Sequence, residues 1–230
     1  MQAMSVVQHY SKATHGGMAS ALSPISFSIL AVDIVGIRPN STKQAKYCIV
    51  TINYMTKWVE ARLLATVTEE AAKKFMIYQV IQRFRIPGVC ISDNGTQFIG
   101  NKFRTFLNHF GIQQKFNLLG HPQGNGTIEA ANKIIFDGIK KRLSEANGLW
   151  AKELSWVLWG YRTTPRLSTR ETSFRLAYGT DVLLPTEVGL DSYRTKVFNI
   201  ESNEVGLRAN IDLLEEEREA AHQRNLKYQL

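Results

Sequence analysis

An α/β fold, a mixed sheet carrying helices on its faces, is predicted by three observations. Strand-like segments come first as a group of three, strand and helix patterns alternate afterwards, and 44% of the 230 residues are apolar. That composition supports a buried core and excludes a disordered chain. No stretch approaches the roughly 18 to 20 uninterrupted apolar residues of a membrane span, and residues 1–17 lack the apolar block of a secretory signal. A soluble, intracellular protein that does not engage a membrane is therefore expected. Two cysteines exclude a disulfide framework, and Cys48 and Cys90 each lie in an apolar run where a reduced thiol behaves as a small hydrophobe.

Residues 1–24 are polar, small and poorly periodic, the pattern of a leader or connector. Residues 27–35 form the first apolar run. A turn-like Arg38-Pro39-Asn40-Ser41 follows, then residues 47–54, rich in β-branched and aromatic side chains, and residues 58–66 in the same style. Three strands paired as an antiparallel meander fit this region. Thr68 is a hydroxyl N-cap with Glu69 and Glu70 in the first turn. Ala72, Phe75, Met76, Val80 and Phe84 then recur at helical spacing until Pro87.

Residues 89–92 read as a short strand running into the turn Asp93-Asn94-Gly95. A second helix spans 101–110, closed by Gly111, and residues 115–119 suggest a fifth strand. The loop 120–126 is glycine-rich. Residues 127–146 are helical in pattern, stopped by Asn147-Gly148, and residues 150–161 give another helix before Pro165. Residues 207–227 form a charged helix with Ile211, Leu214 and, more weakly, Leu207 on one side.

Charge is unevenly placed. Residues 201–230 hold four basic and seven acidic side chains, so the preceding 200 residues carry 24 basic against 13 acidic, a charge of +11 within the net +8. Such a body favours a polyanionic partner, nucleic acid or an anionic surface.

Three acids stand where acids need a reason. Asp33 interrupts the apolar strand Ile29-Leu30-Ala31-Val32-Asp33-Ile34-Val35, where an unpaired carboxylate is costly to bury. It calls for a ligand, a metal or a buried arginine. Asp93 follows a strand at the sheet end where open α/β folds place ligands, although Asp-Asn-Gly also makes a turn unaided. Glu129 lies in the first turn of a long helix, as a site residue or as an N-terminal acid paired with Lys133.

Thirty-five residues separate Asp93 from Glu129 and 59 separate Asp33 from Asp93. The surrounding motifs are Val32-Asp33-Ile34-Val35-Gly36, Tyr54-Met55-Thr56-Lys57-Trp58-Val59-Glu60, Ser92-Asp93-Asn94-Gly95-Thr96-Gln97-Phe98, His121-Pro122-Gln123-Gly124-Asn125-Gly126 with Glu129-Ala130-Ala131-Asn132-Lys133, and Tyr161-Arg162-Thr163-Thr164-Pro165. With them the sequence closely resembles the catalytic core of retroviral and LTR-retrotransposon integrases, the D,D-35-E group, and within it the gypsy-type elements of plants.

The resemblance implies a ribonuclease H-like fold: a mixed five-stranded sheet flanked by helices, with a C-terminal helical extension. It implies that Asp33, Asp93 and Glu129 converge as catalytic and metal-binding carboxylates on two magnesium ions, with manganese as a substitute. The implied reaction trims DNA 3′ ends and joins them to target DNA, acting in the nucleus and in homo-oligomers. Asn132, Lys133 and Lys140 share the helix face of Glu129 and, with Asn125 in the preceding loop, are DNA-contact candidates. Lys140 serves equally as a solvated helix-end cation. Trp150, Trp156 and Trp159 read as core and subunit interface.

The chain also departs from the pattern. Leu30-Ala31 replaces a usual Trp-Gly, and Ile37 a usual proline. His9 and His15 have no cysteines to complete a zinc site, so no structural zinc is expected. The domain reading is 1–24 as the remnant of a connector after a lost zinc domain, 25–185 as the catalytic core, and 186–230 as a helical connector to an absent C-terminal domain. A non-catalytic nucleic-acid-binding module derived from a retrotransposon is the alternative.

Overall fold

The computed structural model describes residues 28–36, 46–116, 150–182 and 200–228. Five strands run β1 (Ile29–Gly36), β2 (Tyr47–Asn53), β3 (Val59–Leu64), β4 (Val89–Ser92) and β5 (Gln113–Phe116). They form one mixed sheet in the order β3-β2-β1-β4-β5, in which β3–β2 and β2–β1 pair antiparallel and β1–β4 and β4–β5 pair parallel. The expected meander is present, and the parallel pairs follow from the helical crossovers between them. The helices are α1 (Glu69–Phe75), α2 (Thr96–Ile99), α3 (Asn101–His109), α4 (Trp150–Thr163), α5 (Ser173–Tyr178) and α6 (Ile200–Tyr228).

Alternation along β1 and β2 creates two cores. Leu30 and Val32 of β1, Ile49, Cys90, Phe75, Met76, Phe98, Phe103 and Leu107 fill the side covered by α1, α2 and α3. Cys48, Val50, Ile52 and Val59 face α4, which supplies Leu154, Val157, Leu158 and Tyr161 at helical spacing. The two thiols thus sit in opposite cores, and burial pushes each up to about 12, which leaves them protonated and inert at neutral pH.

Thr68 caps α1 as expected, its hydroxyl accepting from the Ala71 N–H at 3.1 Å. After Phe75 the helix widens into a π stretch over Met76–Ile81, with Gln82 N–H reaching Ile77 O five residues back at 3.0 Å. Glu69 does more than complement its own helix: its carboxylate accepts from Lys102 and Phe103 N–H at 2.8 and 3.1 Å, capping α3 from another element.

Several boundaries differ from the sequence reading. The fifth strand starts at Gln113 because this polar edge segment pairs with β4 despite lacking an apolar run. Helices α2 and α5 were not expected; at four and six residues they are too short for periodicity to reveal. The last helix begins at Ile200, earlier than 207, and only part of its expected apolar side is buried. Leu214 is 7% exposed and Ile211 60%, and the stripe that docks is Leu214, Arg218, Ala221 and Asn225. Arg218 makes that possible by donating to the Leu176 and Ala177 carbonyls at the end of α5, at 2.8 and 3.0 Å. Arg175 of α5 pairs with Glu217 at 2.6 Å. The turn at 38–41, residues 117–119, the loop 120–126 and the helix expected over 127–146 lie outside the described residues.

The β2–β3 turn buries a lysine. Asn53 Oδ1 accepts from the backbone N–H groups of Met55 and Thr56, and Lys57 adopts a left-handed φ of 57° with its amine 4.7 Å from the Tyr54 ring centroid. Burial pushes the Lys57 amine down to about 8. Between pH 8 and its ordinary value near 10.5 the Lys57 proton is held by the unfolded chain and not by the folded one, so the Lys57 contribution to stability rises with pH across that window, against the opposite contribution of Cys48 and Cys90, which from about pH 9 ionise only in the unfolded chain. In chemical denaturation at stepped pH, the stability of the parent relative to Lys57→Met should rise by up to roughly 3 kcal/mol across that window. An identical pH slope in the variant would contradict the assignment.

Candidate functional site

Asp33 sits in β1 on the α4 side of the sheet, between Ala31 and Val35 in the strand's alternation. Its antiparallel partner is Val50, and its own Oδ1 accepts from the Ile34 N–H at 2.7 Å. On the other side, the parallel register pairs Ile29 with Val89, Leu30 with Cys90 and Ala31 with Ile91. Continued by two residues, that register brings Asp33 level with Asp93, just past the end of β4, and both follow residues of the same alternation. The two strands therefore deliver two carboxylates to one place beside the end of β4.

The electrostatics agree with that placement. Asp33 is held above the usual carboxylate range, chiefly by burial and further by the Asp93 charge, while its bond from Ile34 N–H acts in the opposite sense. Among the described residues neither aspartate enters an ion pair, so the arginine partner weighed for Asp33 is not found there. Asp93 is exposed, and its Oδ1 accepts from Gly95 N–H at 3.0 Å. It thus does form the turn expected of Asp-Asn-Gly, and one carboxylate oxygen remains outside that bond.

The segment after Asp93 is pinned from below. Ser92 is buried, Phe98 is fully buried against Phe103, and Gln114 of β5 donates its amide to both Ser92 Oγ at 3.3 Å and the Phe98 carbonyl at 2.9 Å. No expectation from sequence marked Gln114, since a lone polar residue in a polar edge strand carries no pattern.

Glu129 and the DNA-contact candidates Asn125, Asn132, Lys133 and Lys140 lie outside the described residues. Among the described residues no group of three or more His, Cys, Asp or Glu side chains is placed to hold a metal ion. Asp33 and Asp93 nonetheless fit part of a divalent-cation site in their chemistry: two hard oxygen donors that repel each other, with no cation of the described chain between them.

The motifs at Trp58-Val59-Glu60 and Tyr161-Arg162 prove to be one structure. Glu60 is buried on the α1 side, its Oε1 accepting from Trp58 Nε1 at 2.9 Å and its Oε2 from Arg162 and Arg83 at 2.9 and 3.1 Å. Arg162 reaches from α4 past the edge strand β3, donates twice to the Val59 carbonyl at 2.6 and 3.0 Å, and lies 4.4 Å from the Trp58 ring centroid. This clamp ties α4 to β3 and so closes the second core, on whose side Asp33 lies. Of the tryptophans, Trp156 points outward from α4 and is 57% exposed.

Comparison with known proteins bears on these features. Residues 24–122 match the family described as integrase core domain. Relatives include the Gag-Pol polyproteins of avian reticuloendotheliosis virus, 29% identical over 148 residues, and of gibbon ape leukemia virus, 32% identical over 135. These alignments cover 64% and 58% of this chain but only 13% and 8% of the polyproteins. In fold, the chain is similar to the catalytic core domain of BIV integrase, with a TM-score of 0.54 and 19% identity over 66% of this chain and 93% of that one. It is also similar to a chain of the simian T-cell lymphotropic virus intasome in complex with PP2A regulatory subunit B56 gamma, with a TM-score of 0.58 and 19% identity over 74% and 60% of the two chains. The fold is ribonuclease H-like, with the five-stranded mixed sheet and flanking helices expected from sequence. No helix among the described residues is long and apolar enough to cross a membrane.

Proposed function

We propose that this chain, whose residues 24–122 match the integrase core domain family, acts as an integrase-type polynucleotidyl transferase that trims DNA 3′ ends and joins them to target DNA. The observation that carries the reading is the placement of Asp33 level with Asp93, by continuation of the β1–β4 register, beside the end of β4 and within the matched residues. In this reading Asp33, Asp93 and Glu129 hold two magnesium or manganese ions. When bound, those ions neutralise charge at the attacked phosphate and lower the pKa of the attacking water or 3′-hydroxyl.

The carboxylates' task is to fix position and charge, and no side chain needs to become covalently attached. In end processing, water adds to phosphorus as the bond to the bridging 3′ oxygen breaks. In strand transfer the freed 3′-hydroxyl takes the place of water. Each step makes one P–O bond and breaks one, so no outside energy source is required.

DNA as partner is supported by the +11 carried by residues 1–200, with element ends and target DNA as substrates and Asn125, Asn132, Lys133 and Lys140 as contacts. Self-association is supported by the exposed Trp156 on α4 and by the likeness to an intasome chain. Origin in a gypsy-type element rests on the motif wording, the relatives above being retroviral, and action in the nucleus follows from the substrate.

A strand-transfer assay with short element-end duplexes and magnesium or manganese tests the proposal. Joined products are expected, with DNA binding that weakens steeply between 50 and 200 mM salt by about 10³-fold or more if six or more phosphates are contacted. Salt-sensitive binding without any product under either metal would overturn it in favour of a non-catalytic nucleic-acid-binding module.

A further inference from the structure

We propose that Gln114 is the positioning residue for Asp93, holding that carboxylate level with Asp33 by gripping the chain on both sides of it. The inference rests on the divalent-cation reading of the two aspartates given above. Its basis is a division of labour at the end of β4. Asp93 lies beyond the last ladder pair, Ser92 with Phe116, so strand pairing no longer fixes it. Its own bond to Gly95 N–H is local to the turn and moves with it.

What anchors the turn to the sheet is Gln114. Its register partner is Cys90, which places it on the α1–α3 side, where its amide meets Ser92 Oγ and the Phe98 carbonyl. Ser92 is thereby tied to one side of the sheet, and alternation sends Asp93 to the other. Phe98, fully buried, closes the far end of the same loop, and the Glu69 carboxylate on Lys102 and Phe103 N–H fixes the chain just beyond. A single side chain therefore bridges the residue before Asp93 and the helix after it. Both of its bonds come from one NH₂ group, so replacing Gln114 frees the two points together.

A cation site is sensitive to such support because ligands must hold their places against mutual repulsion, and loss of an outer-shell partner typically lowers metal affinity 10–100-fold. The experiment is Mn²⁺ binding to the full chain, read from the loss of the free-ion electron paramagnetic resonance signal. Gln114→Leu keeps bulk but removes both donors, and should weaken Mn²⁺ binding about tenfold. Ser92→Ala, which leaves the Phe98 bond in place, should weaken it less. Since a merely structural role would lower the melting temperature without acting through Asp93, the deciding measurement is Gln114→Leu in an Asp93→Asn background. There it should cause no further loss.

An unchanged Mn²⁺ affinity in Gln114→Leu, or an equal loss with and without Asp93, overturns the proposal. So does the absence of Mn²⁺ binding by the parent chain. If the parent binds Mn²⁺ and shows this coupling but joins no DNA, the positioning role stands and the integrase reading falls.

Discussion

Asp93→Asn is expected to lower strand transfer by at least about 10³-fold while leaving the chain folded. The size follows from what a metal-assisted phosphoryl transfer draws from its ions, several kcal/mol of charge stabilisation, since about 4 kcal/mol corresponds to a thousandfold in rate. Asparagine keeps the volume of aspartate and an oxygen able to accept from Gly95 N–H, so the turn after β4 should persist. It also removes the charge that helps raise Asp33, so the Asp33 carboxyl should ionise more readily and the melting temperature should not fall. Asp33→Asn should be as inactive, because it removes the partner from the adjacent strand. The measurement is a labelled-duplex joining assay beside a thermal melt. Strand transfer by Asp93→Asn within tenfold of the parent would show that the reaction does not run through this pair.

The second large effect concerns the fold. Arg162→Ala should cost on the order of 3 kcal/mol, because the buried Glu60 carboxylate then keeps only the half-exposed Arg83 and the Trp58 indole. The Glu60 side chain is 4% exposed and that of Arg162 15%, whereas Arg83, at 45%, is too solvated to compensate. The same change uncovers the Val59 carbonyl and removes the guanidinium from the Trp58 ring. Against a total stability of typically 5–15 kcal/mol this is a large fraction, visible as a lower urea midpoint. A double-mutant cycle with Glu60→Gln should give a coupling of about 1–3 kcal/mol. A loss below about 1 kcal/mol for Arg162→Ala would mean that the clamp is ornamental.

These two predictions rest on features with different visibility in sequence. Asp33 and Asp93 were legible because each breaks a local rule: a charge inside an apolar strand, and a turn whose first residue abuts a strand end. The clamp was legible only as two motifs. That Glu60 and Arg162, about a hundred positions apart, meet is a tertiary fact that no local period encodes. Helix α6 failed the periodic reading for a related reason. Its docked stripe includes Asn225 and Arg218, the latter buried because the end of α5 offers it carbonyl acceptors, while apolar Ile211 is 60% exposed. The polar strand β5 and the short helices α2 and α5 likewise owe their form to what they pack against. Gln114 belongs with them: its importance lies in two partners from different segments.

Arg162 has one more consequence. β3 is an outer strand of the sheet, and outer strands are templates on which another chain can add a strand of its own. By filling the Val59 carbonyl and setting a guanidinium beside it, Arg162 leaves an incoming backbone without that acceptor and with a charge in its way. The residue that fastens α4 therefore also blunts this edge of the sheet, and its loss would open the Val59 carbonyl to an incoming strand even where the fold survives.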